Sequence, residues 1–234
     1  MQIDIPAFSW SPYGLIVVLS VIAGFAAAVL LMRRSGVGKQ TIFYTCLTAI
    51  VCTFITSLMV TFRITEKGIV LSFSGLGAAV GLIGGVLIAA LIIRDKPDEV
   101  MAAFIASAPL MYGLAKLGCF LAGCCHGKPY SGPFAVTYHN EHAGTYFPVQ
   151  LVDMAAFILI HILAVFLIKK MKNKFSAICI ILAVLIPVRF ALEYLKYYHD
   201  GSPVSSGQIT VLIAGAIAVI LVLVWKKILK INYR

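Results

Sequence analysis

Apolar residues run through this chain in long uniform blocks near 12–32, 41–62, 69–93, 101–121, 149–168, 176–195 and 208–225. A helical membrane span needs about 20 consecutive apolar residues. Strands of a membrane barrel would instead alternate apolar and polar positions in short segments. The pattern therefore predicts an all-α fold, a polytopic transmembrane helical bundle of about seven spans, as one integral membrane domain over 1–234. The connections are short except for a stretch near 122–148. That stretch is polar, punctuated by Gly and Pro, and rich in Cys and His, and long loops that keep structure tend to be functional.

Composition sharpens this reading. The chain has 234 residues, 61% hydrophobic and 12% charged, with mean hydropathy +1.00. Soluble domains carry roughly 25% charged residues, and a chain this short cannot bury so much apolar side chain in one aqueous core. A soluble enzyme, a disordered chain and a secreted disulfide scaffold are excluded. Arg33, Arg34 and Lys39 follow the first span, and Arg94 and Lys96 the third. Lys169, Lys170, Lys172 and Lys174 follow the fifth, and Lys226, Lys227, Lys230 and Arg234 form the tail. Seven alternating spans put all of these on one side, which the positive-inside bias makes cytoplasmic. The expected topology is N-terminus outside, C-terminus inside, with 122–148 an outer loop. The net charge of +10 then serves topology and attraction to anionic headgroups, and nucleic acid is not an expected partner. Met1–Ser11 lacks the basic n-region of a cleavable signal. No internal repeat or pair of broken spans suggests a transporter.

Ionisable groups inside spans are costly and functional by default. Arg189 and Glu193 lie one turn apart in span six, so they can pair, and the arginine keeps donors for a lipid phosphate. The plain alternative is a pair that only fixes packing. Lys116 lies near the exit of span four, followed by Gly118, Cys119, Gly123, Cys124, Cys125, His126, Gly127 and Lys128. It either snorkels outward or faces a site. Cys and His together suit zinc, yet no paired C-x-x-C spacing is present, and no metal or other cofactor is expected. Outside the cytoplasm, Cys119 could form a disulfide with Cys124 or Cys125. His139, Glu141 and His142 complete the polar loop. Cys46, Cys52 and Cys179 read as small buried hydrophobes. Gly77, Gly81 and Gly85 repeat every four residues, a close helix-packing face. Mid-span His161 suits an interhelical hydrogen bond, and Asp153 a cap or ion pair at the start of span five.

Several segments, in order, resemble the prolipoprotein diacylglyceryl transferase family. Tyr13-Gly14-Leu15 resembles its early Tyr-Gly-Leu element, and Ser72-Phe73-Ser74-Gly75 its S-F-H-G segment. The stretch from Lys116-Leu117-Gly118-Cys119-Phe120 to Gly127-Lys128 resembles its signature G-R-x-G-N-F-x-N-G-E-x-x-G-R. Pro148-Val149-Gln150-Leu151 resembles P-x-Q-L, Arg189-Phe190-x-x-Glu193 resembles R-F-x-x-E, and Gly207-Gln208 the G-Q element. The resemblance implies a multi-pass transferase of the bacterial plasma (inner) membrane. Such an enzyme moves the diacylglyceryl group of phosphatidylglycerol, or a related anionic phospholipid, onto the cysteine thiol of a lipobox prolipoprotein. It implies Lys116, Arg189, His126, Cys119, Cys124 and Cys125 as catalytic candidates. Tyr13, Ser74, Gly118, Gly123, Gly127, Gln150, Glu193 and Gln208 become substrate-binding candidates.

The departures from the family pattern cluster in one place. Ser74 replaces the family histidine, Lys116 the signature arginine, and Cys119 and Cys124 the signature asparagine and glutamate. Tyr146-Phe147 replaces the basic-His pair before P-x-Q-L. A cysteine-rich branch of the family is expected, in which His126 or a neighbouring histidine serves as base, or a cysteine acts as covalent nucleophile. The alternative function is a membrane thiol-redox or metal-binding protein on the same scaffold.

Overall fold

The computed structural model describes residues 3–6, 11–65, 68–70, 75–139, 143–199 and 203–232; for 63–65, 68–70, 75–76 and 228–232 it describes the backbone alone. Ser74, Glu141 and His142 lie outside the described residues.

Among the described residues, seven helices occupy the seven apolar blocks. They are α1 (Tyr13–Arg34), α2 (Lys39–Thr61), α3 (Gly75–Ile93), α4 (Pro97–Ala122), α5 (Val149–Lys170), α6 (Lys174–Leu192) and α7 (Ser206–Asn232). Among the described residues, all but α3 are long and apolar enough to cross a membrane. Helix α3, of 19 residues, rises about 28 Å at 1.5 Å per residue, close to the roughly 30 Å of a hydrocarbon core. The protein is a multi-pass helical membrane bundle. Large apolar side chains such as Ile22, Phe43, Leu159 and Ile213 are exposed on its flanks, as lipid contact requires. Backbone polar groups in that environment must pair internally, which a helix does within itself.

Helix α4 is the central element. It packs against α1, α3, α5 and α6, while α2 packs chiefly on α3. Its first three turns bury Val100 to Ser107 almost without exposure. The α2–α3 contact depends on the glycine face. A Cβ on Gly77 would lie 2.5 Å from the Thr56 carbonyl oxygen, and one on Gly85 2.7 Å from that of Thr48. His161 of α5 donates its Nδ1–H to the Ala106 carbonyl of α4 at 2.8 Å, an interhelical bond as expected. Cys46 and Cys52 are half-buried in α2, whereas Cys179 is on the exposed face of α6.

The basic connections meet at one end of the bundle. Lys96 Nζ donates to the carbonyls of Ser35 and Gly36 at 2.8 and 2.9 Å. Asp95 accepts from the Gly38 N–H and the Thr41 hydroxyl, each at 2.8 Å, and these bonds hold its carboxyl below the usual range. Lys174 pairs with Glu99 at 3.6 Å, and the Trp225 indole of α7 donates to Asp98 at 3.2 Å.

The opposite end carries short strands that the apolar pattern does not reveal. Strand β1 (Ile3–Ile5) pairs parallel with β4 (Val136–Tyr138), which pairs antiparallel with β5 (Gly144–Tyr146). A separate hairpin joins β2 (Arg63–Thr65) and β3 (Gly68–Val70). Ile5, Val136, Tyr138 and Phe120 form a small second core beneath the three-stranded sheet, which fastens the 123–148 connection to the end of α4.

Gly81→Ala is expected to destabilise the protein by about 1–3 kcal/mol, the usual cost of overpacking, because its Cβ would sit 2.5 Å from the Cys52 carbonyl oxygen. Gly84→Ala, with nothing within 4 Å, is expected to be neutral or slightly stabilising. Thermal unfolding in detergent checks both; equal shifts would refute the packing role.

Candidate functional site

The site is built where α4 and α6 end and α5 begins. Helix α4 stops at Gly123, whose φ of +73° is left-handed and so suits a residue without a Cβ. The Gly123 N–H donates to the Phe120 carbonyl at 3.4 Å and the Cys124 N–H to the Cys119 carbonyl at 3.1 Å. This pair of bonds is a Schellman motif, which brings the fourth-last helical side chain against the second one past the end. Those side chains are Cys119 and Cys124. Cys125 follows, also left-handed at φ +54°. The Sγ atoms of Cys119, Cys124 and Cys125 all lie within 4.8 Å of one another, and none forms a disulfide.

Helix α5 begins after Pro148 and aims Gln150 and Asp153, one turn apart, inward; both are fully buried. Gln150 Nε2 donates to the Cys124 carbonyl at 2.9 Å and to the Tyr138 hydroxyl at 3.3 Å. Helix α6 gives way to a single 3-10 turn (Glu193–Leu195). The segment beyond it is held by His126–Lys128. The Lys128 N–H donates to Leu195, and the Tyr197 N–H to His126, each at 3.2 Å. Gly127 allows this crossing, since a Cβ there would lie 2.5 Å from the Phe147 carbonyl oxygen. The result is that Lys196 is driven into the interior, its side chain only 2% exposed.

Five ionised groups form one connected row. Lys116 pairs with Asp153 at 3.4 Å, Lys196 with Asp153 at 3.9 Å and with Glu193 at 2.7 Å, and Arg189 with Glu193. The Tyr198 hydroxyl donates to the other Glu193 oxygen at 2.6 Å. Lys116 Nζ and Arg189 Cζ both lie over the Tyr112 ring, 4.9 and 5.4 Å from its centroid, so the cations of spans four and six are neighbours. Three cations thus share two carboxylates, so the row carries a net formal charge of one positive. Burial lowers the Lys196 ammonium from its usual range, and Lys116 and Arg189 push the same way against the pull of Asp153. Burial first, then its bond to Glu193, raises the Tyr198 hydroxyl, which stays a neutral donor.

Beyond Arg189 the row opens into an apolar cavity of about 440 Å³ between α3, α4, α6 and α7. Arg189, Glu193, Tyr112 and Tyr198 are among its walls, the rest being chiefly aliphatic. Gly207 lets the Glu193 carboxylate approach, as a Cβ would lie 2.6 Å from its oxygen.

The structure gathers Lys116, Arg189, Glu193, Gln150, Cys119, Cys124 and Cys125 around this row. Gly118 sits where α1 crosses α4, with Tyr13 and Ile16 atoms 3.3 Å from its ideal Cβ, closer than ordinary contact; Tyr13 itself is substantially exposed. Gln208 is buried, accepting from the Ser205 N–H at 2.8 Å and donating to the Phe190 carbonyl at 3.4 Å, so it fixes the start of α7 against α6. His126 is stacked between Tyr146 and Tyr197, with centroids 3.8 and 4.3 Å away, and its Nδ1 donates to the Gly127 carbonyl at 3.0 Å. His139 pairs with exposed Asp4 at 2.6 Å, apart from the row. Lys196, Tyr112 and Tyr198 complete the site without having been singled out by sequence. The buried aromatic and Lys positions around Arg189-x-x-x-Glu193 were the available signal.

Fold and site define an integral membrane helical bundle with a buried charged row between a thiol cluster and an apolar cavity. The comparisons agree with that class. Residues 1–225 match the family model described as prolipoprotein diacylglyceryl transferase. The chain belongs to the prolipoprotein diacylglyceryl transferase family. It is similar to a phosphatidylglycerol–prolipoprotein diacylglyceryl transferase of Clostridium tetani (strain Massachusetts / E88), with 29% identity over 142 residues. That match spans 55% of this chain and 56% of the relative, little more than half of either.

Asp153→Ala is expected to cost about 3–5 kcal/mol, the usual penalty for stripping a buried ion of its partner, because Lys116 and Lys196 would both lose it. Adding Lys116→Ala should recover part of the loss. Chemical or thermal unfolding of the two variants checks this; equal stability of Asp153→Ala and wild type would refute a buried pair.

Proposed function

We propose that this protein transfers the diacylglyceryl group of an anionic phospholipid, phosphatidylglycerol as the name of its Clostridium tetani relative suggests, to the cysteine thiol of a lipobox prolipoprotein. The single observation that carries this reading is the net positive charge of the buried row at the mouth of an apolar cavity. A phosphodiester lipid carries one negative charge and two acyl chains, and the cavity and the row match both parts. Family membership supports the same reaction.

In this reading the acyl chains enter between α3, α6 and α7, and the phosphate takes the free donors of Arg189, with Lys196 behind it. Lys116 borders the thiol side of the row. The acceptor thiol attacks as thiolate, which a nearby positive field favours. A sulfur–carbon bond forms at the glyceryl carbon bearing the phosphate, and the carbon–oxygen bond breaks. Its electron pair leaves on glycerol phosphate, where charge grows in a site of low dielectric and fixed cations stabilise it most. Direct transfer fits better than a covalent relay. A cysteine of this chain that accepted the group would hold it as a thioether, a poor leaving group.

The same reading assigns the cysteine-bearing end to the outer face and the basic end to the cytoplasm of a bacterial plasma membrane. The gathering of the basic connections at one end supports it. Tyr13, Gly118, Gly123, Gly127, Gln150 and Gln208 are assigned to shaping or lining the substrate path, with Glu193 orienting Arg189 and Lys196.

Purified protein, phosphatidylglycerol and a lipobox peptide should yield a peptide heavier by one diacylglyceryl group by mass spectrometry. Absence of that product would overturn the proposal. Arg189→Ala should lower the rate about 10²–10³-fold, as losing one donor to a developing oxyanion does elsewhere. Because Lys196 must be protonated to support the phosphate and its ammonium is held below the usual lysine range, activity should fall as pH rises through that lowered value. Lys196→Arg should move the alkaline limb upward, since a guanidinium stays charged; an unmoved limb would remove Lys196 from phosphate binding.

A further inference from the structure

Cys119, Cys124 and Cys125 are not needed to explain the row of ion pairs or the cavity, yet the backbone goes to some expense to bring them together. The Schellman turn at Gly123 sets Cys124 against Cys119, and Cys125 adopts a left-handed φ of +54°, which a side chain other than glycine, asparagine or aspartate rarely takes. The three sulfurs lie within 4.8 Å of one another. Sulfurs bound to one tetrahedral zinc at about 2.3 Å lie roughly 3.8 Å apart, so a small side-chain adjustment closes the set. Cys119 is buried and the other two half-buried, and no other His, Asp or Glu joins the cluster among the described residues.

A further observation bears on a ligand here. Gln150 is fully buried and anchored by Nε2 to the Cys124 carbonyl, while its Oε1 has no hydrogen-bond partner. Buried acceptors left unpaired are rare and call for a missing donor, such as a water on a metal ion.

We propose that Cys119, Cys124 and Cys125 bind one borderline divalent cation of the zinc type through three thiolates, and that its fourth position receives the acceptor cysteine thiol. Three protein ligands with an open fourth position is the arrangement of catalytic rather than structural zinc. A thiol that coordinates zinc is deprotonated outright, which supplies activation without a histidine base. The acceptor thiol releases its proton to water on coordination. The bound thiolate attacks the glyceryl carbon, and glycerol phosphate leaves with the electron pair of the broken carbon–oxygen bond. The product thioether, uncharged and a weaker ligand, gives way to water. The metal does not change oxidation state. The binding site stands on the three sulfurs alone; the role of the fourth position rests on the transferase reading.

The test uses the full chain, reduced and purified in detergent without added chelator or metal. Titration with Cd²⁺ should give a sulfur-to-metal charge-transfer band in the ultraviolet that saturates at about one equivalent per chain, with Zn²⁺ competing for it. Cys119→Ser, Cys124→Ser and Cys125→Ser should each weaken binding by at least about tenfold, and Arg189→Ala, which disables the lipid end of the row, should leave it unchanged. In the Co²⁺-loaded protein a lipobox peptide should shift the visible spectrum, and the same peptide with serine for cysteine should not. A reduced wild-type chain whose three thiols titrate freely and that gives no charge-transfer band would overturn the site. A band that no peptide perturbs would overturn the fourth-position role. Normal metal binding together with no lipid transfer under any metal condition would keep the site and sink the transferase reading instead.

Discussion

A buried excess of one positive charge organises this protein. Lys116, Arg189 and Lys196 share Asp153 and Glu193 within the membrane-spanning bundle, where an isolated ion would cost several kcal/mol or more. The carboxylates hold the cations in place and neutralise most of their charge. They leave one charge over, at the edge of an apolar cavity. Such a remainder is expensive in an empty site and favourable in one that holds an anion, so the fold stores part of its binding energy as incomplete neutralisation. The tyrosines complete the arrangement: Tyr112 lies under two of the cations and Tyr198 fixes the far oxygen of Glu193.

The surrounding structure can be understood as support for that row. Helix α4 carries Lys116 down the middle of the bundle, and its packing with α1, α3, α5 and α6 fixes the depth of that side chain. The His126–Lys128 strip lies between Phe147 and the segment after α6, and so turns Lys196 inward. The small sheet covers the same end and ties the loop to Phe120. At the opposite end, Lys96, Asp95, Glu99, Lys174 and Trp225 join three connections and the last helix, which leaves the thiol end free to be shaped by chemistry.

The sequence made the spans legible because apolar blocks of span length admit few other solutions. It also made Arg189–Glu193 legible, since residues four apart share a helix face, and the glycines of α3, whose spacing matches a packing stripe. Lys196 was hidden by its position in a polar Tyr-Tyr-His stretch that reads as an interface; only the crossing of two distant loops makes it interior. Asp153 was visible as a charge at the start of a span, but its two partners come from α4 and the end of α6, contacts that no local period encodes. The cysteine cluster was half legible. Gly123 as the left-handed cap predicts that Cys119 meets Cys124, but the inward turn of Cys125 requires a strained backbone that sequence alone does not announce. The strands were missed because three residues are too few to leave a periodic trace, and the pairing of β1 with β4 joins segments more than a hundred residues apart.

The charge remainder makes the account testable without any reaction. The direct measurement is native mass spectrometry of the protein released from bilayers holding equal amounts of phosphatidylglycerol and a zwitterionic phospholipid with the same acyl chains. The account predicts selective retention of one phosphatidylglycerol per chain, with the preference lost in Arg189→Ala and kept in a variant altered only at the exposed Lys128. Equal retention of the two lipids, or a preference indifferent to Arg189, would contradict it.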